Sequence, residues 1–116
     1  MRAPGGKPAL AGREDVLFSV SDSADLALVA IARAEIGVDV ERIRDRPVAA
    51  RAEARRLELF FEHWTAAEAR GKARGGGLRA AEPGEDLACT SIDVGPDYAA
   101  SVAVAADEVR VRLRPY

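Results

Sequence analysis

The sequence predicts an α+β fold, with a mainly antiparallel sheet packed against one or two central helices. Short apolar runs typical of strands lie in both the first and the last third of the chain, while the middle is rich in Ala, Arg, Glu and Leu at helical spacing. Strands grouped before and after a helical segment favour α+β over an alternating βαβ architecture. At 116 residues, the chain is expected to form a single domain, 1–116.

The first third of the chain predicts a lead-in loop and three strands. Gly, Pro and charged residues dominate 1–15, which we interpret as a loop. Apolar runs predict strands at 16–20, 26–32 and 35–41. The turn-forming residues 21–25 are expected to join the first two strands as a hairpin.

The middle of the chain predicts a helix over 48–62. Pro47 is suited to the first helical turn, where a missing N–H costs least. A second helix, or a continuation of the first, is expected from about 65 to 74. The triple glycine 75–77 should end it.

The last third predicts a return to strands after a loop at Pro83 and Gly84. Three further strands are expected, at 87–94, 98–105 and 109–113. The last of these alternates apolar and basic residues, as a strand with one exposed face would.

Composition limits the classes of function. The 17 basic and 19 acidic residues give a net charge of -2, so no global basic field favours nucleic acid or an anionic membrane. The longest apolar run, 26–32, is too short to cross a bilayer, and no signal peptide is visible at the start. Cys89 is the only cysteine, which suits a reducing compartment. We therefore expect a cytoplasmic protein with no nucleic-acid or membrane partner.

Asp39 and Glu41 are the first candidate metal ligands. Two residues apart on a strand, they would share one face at a separation of about 6.6 Å. Neighbouring carboxylates repel each other unless a proton or a cation is shared, and Mg²⁺ prefers such oxygen ligands. A solvated acidic strand edge is the alternative interpretation.

Glu68 and Lys72 form a second candidate pair, one helical turn apart. Trp64 precedes them on the same face, and the glycines that follow allow close approach of a ligand to the backbone. Alternatively, the pair is an ordinary ion pair on the helix surface that stabilises the helix by about 0.3–0.5 kcal/mol, and the glycines are a helix cap.

Three side chains near the start of the chain offer contacts to phosphate. An ammonium and two hydroxyls are the donors, from Lys7, Ser21 and Ser23, with Pro8 adjacent to the lysine. Each taken singly is also compatible with an ordinary loop.

Taken in order, these segments resemble the Sfp-type 4′-phosphopantetheinyl transferases. The shared segments are Gly-Lys-Pro at 6–8, Ser-Asp-Ser at 21–23, Gly-Val-Asp-Val-Glu at 37–41, the segment from Trp64 to Leu78, and the late strand at 97–104. The resemblance implies transfer of phosphopantetheine from coenzyme A to a serine of an apo acyl or peptidyl carrier protein, with release of adenosine 3′,5′-bisphosphate.

The resemblance also implies roles for individual residues. Mg²⁺ would be held by Asp39, Glu41 and Glu68. Glu68 and Lys72 would be the catalytic residues, and Lys72 would also bind phosphate and ease departure of the leaving group. The contacts to the coenzyme would come from Lys7, Pro8, Ser21, Ser23 and Lys72.

Departures from the family pattern leave alternatives open. Asp22 replaces the usual histidine, Ala67 replaces a lysine, and the usual N-terminal half is missing. The chain is nearer in size to the short, trimeric holo-acyl-carrier-protein synthases, so a homo-oligomer is expected. A degenerate, non-catalytic member that binds coenzyme A or a carrier protein is one alternative. One half of a split transferase is the other.

Overall fold

A computed structural model describes residues 16–43, 51–75 and 87–115. Within these ranges the predicted α+β class is confirmed, because antiparallel strands pack on a helix. The elements in chain order are β1 (Leu17–Ser23), β2 (Leu26–Ala32), β3 (Ile36–Arg42), α1 (Arg51–Arg74), β4 (Ala88–Ser91) and β5 (Tyr98–Val104).

Strands β1 and β2 form an antiparallel hairpin. They pair along their whole length, from Leu17 opposite Ala32 to Ser23 opposite Leu26. The predicted hairpin is therefore confirmed, but the predicted turn over 21–25 is too long. Only Ala24 and the following aspartate form the turn, with Ala24 at φ 52°. Residues 21–23 stay extended because they pair with β2, where Ser21 lies opposite Leu28 and Ser23 opposite Leu26. In an extended strand both serine hydroxyls then point toward β3.

The remaining strands form a second antiparallel sheet in the order β3-β5-β4. Strand β5 is central, and its Val104 lies opposite Ile36 on one side and Ala88 on the other. The strands predicted at 35–41 and 98–105 are confirmed to within one residue. The strand predicted at 87–94 is shorter than expected, since only the four residues of β4 pair with β5.

The two faces of this sheet carry different cores. One face presents branched side chains, including Ile36 and Val102, against partly buried residues of β2. The other face meets α1 through small residues, among them Ala69 and Ala103, each 0% exposed. Small residues on both elements let the helix lie close to the sheet.

Gly37 is required where α1 crosses β3. A Cβ at this position would clash with the Ala69 carbonyl oxygen, and would lie 2.5 Å from Ala73 N and 2.8 Å from Lys72 Cβ. All are closer than a carbon atom tolerates, so only glycine admits the helix backbone at this distance. The glycine therefore decides how near Lys72 comes to β3.

Helix α1 is continuous over its 24 residues, so the segment predicted from about 65 continues the first helix. Its predicted end is confirmed: the helix stops at Arg74, and Gly75 follows at φ 80°. The predictions for 1–15, for Pro47 and for the loop at 83–84 lie outside the described residues.

The strand predicted at 109–113 is wrong, because this segment is largely exposed and pairs with no strand of the described residues. Its residues instead line one side of an apolar groove against β2 and the sheet. Alternation fixes which side chains share a face, but a strand also needs a neighbouring backbone edge with which to pair.

Candidate functional site

Three serine hydroxyls of β1 accept hydrogen bonds from the backbone N–H groups along one edge of β3. Alternate residues of β1 point the same way, so all three reach the edge that β5 does not occupy. Each hydroxyl oxygen accepts a hydrogen bond from a backbone N–H of β3, at regular spacing. The pairs are Ser19 with Val38 (3.1 Å), Ser21 with Val40 (3.1 Å) and Ser23 with Arg42 (2.9 Å).

Asp39 is the centre of the site and is buried, with 5% exposure. Its Oδ1 accepts a hydrogen bond from the Ser21 hydroxyl at 3.3 Å and lies 3.6 Å from Lys72 Nζ. Its Oδ2 is buried and has no hydrogen-bond partner within the described part of the chain. Buried carboxylate oxygens normally have partners, so this oxygen marks a position where a ligand could bind.

Burial raises the pKa of Asp39 from 3.8 to about 6. The Lys72 charge opposes the rise and so does the Ser21 hydrogen bond, while the negative charges of Glu41 and Glu68 add to it. The carboxylates of β3 and α1 are thus close enough to act on Asp39 electrostatically. A bound cation would reverse their repulsion and favour the ionised form.

Lys72 spans two strands from its place near the end of α1. Its Nζ donates to the carbonyl oxygens of Val38 at 3.0 Å and Val20 at 3.2 Å, beside Asp39. Two carbonyls and one carboxylate hold the ammonium between β1 and β3. The side chain is still 33% exposed, so a ligand phosphate can approach it.

The four residues predicted for metal binding and catalysis lie on two facing elements. Asp39 and Glu41 are on the face of β3 turned toward α1, where Glu68 precedes Lys72 by one turn. Within the described residues, no three His, Cys, Asp or Glu side chains are grouped closely enough to hold a metal ion. The chemistry of the side chains nevertheless suits Mg²⁺, because the buried Oδ2 of Asp39 has no partner among the described residues and two further carboxylates are near enough to act on Asp39 electrostatically.

The predicted phosphate contacts are distributed unevenly. The hydroxyl of Ser21 faces Asp39, whereas that of Ser23 lies at an exposed position on the edge of β3. Lys7 and Pro8 lie outside the described residues. Asp22 is exposed on the opposite face of β1 from the two serines.

Trp64 is exposed to solvent. It is 40% exposed and stacks on Phe60, which is 58% exposed, with ring centroids 6.4 Å apart. The buried part of α1 begins at the next residue, Thr65. The helix face shared by Trp64 and Lys72 is therefore covered only toward its C-terminal end.

Sequence reasoning missed two contributions to the site. Ser19 and the carbonyl of Val20 help hold β1 against β3 and α1. In addition, the hydroxyls of Thr65 and Ser101 are buried and hydrogen-bonded at 2.9 Å, which joins α1 to β5. Serine at every second position from 19 to 23 was a visible signal for the first contribution, but the turn interpretation concealed it.

No protein-family model matches the chain, and none of the curated proteins matches it. Within the described residues, no helix has the length and apolar character needed to cross a bilayer.

Proposed function

We propose that the protein is a Mg²⁺-dependent 4′-phosphopantetheinyl transferase that modifies a serine of an apo acyl or peptidyl carrier protein. Coenzyme A is the donor, and adenosine 3′,5′-bisphosphate is the product released. Asp39 carries the proposal: its Oδ2 is buried without a described partner, and Lys72 and two further carboxylates act on it.

The chemistry requires neutralisation of charge on a pyrophosphate. Asp39, Glu41 and Glu68 are the proposed ligands of Mg²⁺, which when bound polarises the phosphoryl oxygens. Lys72, fixed beside Asp39, supplies a positive charge for the phosphate that departs. Glu68 lies one helical turn before Lys72 on the same face of α1, and we propose that it shares the catalytic role.

A homo-oligomer in the cytoplasm is part of the proposal. An apolar groove of about 310 Å³ lies between β2, the sheet and the segment 106–113. Val29 and Ile31 on β2 are each 63% exposed, and Val111 and Leu113 are 45% and 54% exposed. Apolar surface of this kind favours association with a second copy.

A non-catalytic member that binds coenzyme A or a carrier protein is the second candidate. One observation favours it: Lys72 already contacts two carbonyls and Asp39, as a purely structural tether would. A split transferase completed by another chain is the remaining alternative.

Intact-mass measurement of apo carrier proteins tests the activity. The full chain is incubated with coenzyme A, Mg²⁺ and a panel of apo acyl and peptidyl carriers, and the phosphopantetheine adduct is measured. We expect modification of at least one carrier, a loss of at least 100-fold with Asp39→Asn, and no change with Asp93→Asn. Asp93 is an exposed aspartate outside both the cluster and the residues that line the groove, so it serves as the matched control.

Coenzyme binding without modification of any carrier would favour the non-catalytic candidate. Equal activity of wild type and Asp39→Asn would contradict the proposed metal site.

A further inference from the structure

We propose that Ser21 is a positioning residue: its hydroxyl fixes the Asp39 carboxylate so that one oxygen stays available to a divalent cation. This inference rests on the proposed function and revises one part of it, since Ser21 would act through Asp39 and would not contact a nucleotide phosphate.

The hydrogen bonds of Ser21 use the only proton of its hydroxyl group. Its oxygen accepts from Val40 N at 3.1 Å, and its single proton is donated to Asp39 Oδ1 at 3.3 Å. A contact to a phosphate oxygen needs a donated proton, because the phosphate can only accept. While Ser21 donates to Asp39, it has no proton left for a phosphate.

The two oxygens of Asp39 therefore differ in their surroundings. Oδ1 has the Ser21 hydroxyl and the Lys72 ammonium beside it, whereas Oδ2 has no described partner. A half-turn of the carboxylate only exchanges two equivalent oxygens, whereas a smaller rotation would lengthen both contacts. The contacts at the Oδ1 position thus fix the orientation of the carboxylate and keep its second oxygen at the position of Oδ2, where a cation can use it.

Two consecutive residues of β1 determine the contacts of Asp39 Oδ1: Val20 holds Lys72, and Ser21 contacts the oxygen itself. The carbonyl of Val20 accepts from Lys72 Nζ, and the next residue, Ser21, donates to the carboxylate directly. Ser21 is itself anchored to β3 through Val40. Groups that orient the ligands of a metal in this way typically change its affinity 10- to 100-fold when removed.

Ser19 and Ser23 provide internal comparisons. Ser19 makes the same kind of bond to a β3 amide, at Val38, but is not hydrogen-bonded to Asp39. Ser23 accepts from Arg42 N at an exposed position, and no acceptor for its own proton is seen within the described residues. We therefore assign the phosphate contact to Ser23 and only a structural role to Ser19.

The experiment measures binding of Mn²⁺ to the full chain by electron paramagnetic resonance, with and without coenzyme A. Ser21→Ala should weaken Mn²⁺ binding about 10-fold and alter the spectrum of bound Mn²⁺. Ser19→Ala should leave Mn²⁺ affinity within about twofold of wild type, since it lacks the carboxylate contact. Ser21→Thr retains the hydroxyl and should restore binding. Circular dichroism checks folding, and Ser21→Cys replaces Ser21→Ala if that variant does not fold.

Calorimetry with coenzyme A in EDTA separates the two serine roles. Ser23→Ala should weaken metal-free coenzyme binding, whereas Ser21→Ala should leave it unchanged. Equal Mn²⁺ affinities of Ser21→Ala and Ser19→Ala would overturn the positioning role. So would a loss of metal-free coenzyme affinity on Ser21→Ala without loss of Mn²⁺ affinity. A wild-type chain that binds no Mn²⁺ under either condition would instead overturn the metal site of the proposed function itself.

Discussion

The backbone groups on the two edges of β3 have different hydrogen-bond partners. On one edge, β5 pairs antiparallel with β3 from Ile36 to Arg42 through the backbone. On the other edge, three serine hydroxyls of β1 accept the backbone N–H groups, and β1 keeps its own backbone ladder for β2. Both arrangements provide hydrogen-bond acceptors for backbone amides of β3, which buried amides require.

The difference explains where the candidate site lies. A backbone ladder uses the N–H and C=O groups that point toward it, on alternate residues of each strand, so the edge of β3 that faces β5 has none left for other partners. The hydroxyl-bonded edge leaves the Val20 carbonyl for Lys72 and the Ser21 proton for Asp39. The groups that hold the charged cluster are thus on the edge where side chains, and not the backbone, join the strands.

The largest effect is expected from breaking the backbone-paired edge. Ala103→Pro removes an amide from the central strand β5, at a residue that is 0% exposed, and should cost more than about 3 kcal/mol. We expect loss of cooperative unfolding by circular dichroism and urea titration. Ala103→Gly retains the amide and should cost only about 1 kcal/mol. Similar losses in both variants would mean that the missing side chain matters more than the ladder.

A smaller effect is expected from the buried carboxyl beside the hydroxyl-bonded edge. The pKa of Asp39 is raised from 3.8 to about 6, so the folded state holds the proton more tightly than the unfolded state does. Stability from this group is therefore present at low pH and is lost as the pH rises from about 4 to about 6. The loss is on the order of 3 kcal/mol, at about 1.4 kcal/mol for each unit of pKa.

Urea unfolding in EDTA between pH 4 and 7 measures this loss. Asp39→Asn does not titrate, so the difference in unfolding free energy between wild type and Asp39→Asn should fall with rising pH. Titrating groups that do not interact with Asp39 contribute equally to both proteins and cancel in this difference. A difference that stays constant over this range would contradict the raised pKa.

The smallest losses of stability are expected from substitutions at the two ends of the hydroxyl-bonded edge. Ser19→Ala leaves the buried Val38 amide without an acceptor and should cost about 1–3 kcal/mol. Ser23→Ala exposes the Arg42 amide to water at the other end and should cost less than about 1 kcal/mol. Urea unfolding at neutral pH measures both. A greater loss for Ser23→Ala would show that burial does not govern the strength of this edge.

Local sequence signals predicted much of the secondary structure. Apolar runs identified β2, β3 and β5 to within about a residue, and glycine marked the end of α1 at Arg74. These signals succeed because strand periodicity and left-handed backbone at glycine depend on residues adjacent in the chain. Spacing also identified the candidate site residues: the carboxylates of Asp39, Glu41 and Glu68 and the amine of Lys72.

What the sequence alone determined was therefore the order of the main elements and the identity of the charged residues. The tertiary structure decided that Asp39 is buried, that its two oxygens have unequal partners, that the serines of β1 bind the edge of β3, and that 109–113 forms no strand. Each of these depends on contacts between residues far apart in the chain: Ser21 and Asp39 are 18 positions apart, and Lys72 and Val20 are 52 apart. The periodicity of a sequence does not indicate which distant residues will contact each other. Burial and hydrogen-bond partners depend on which elements meet in space.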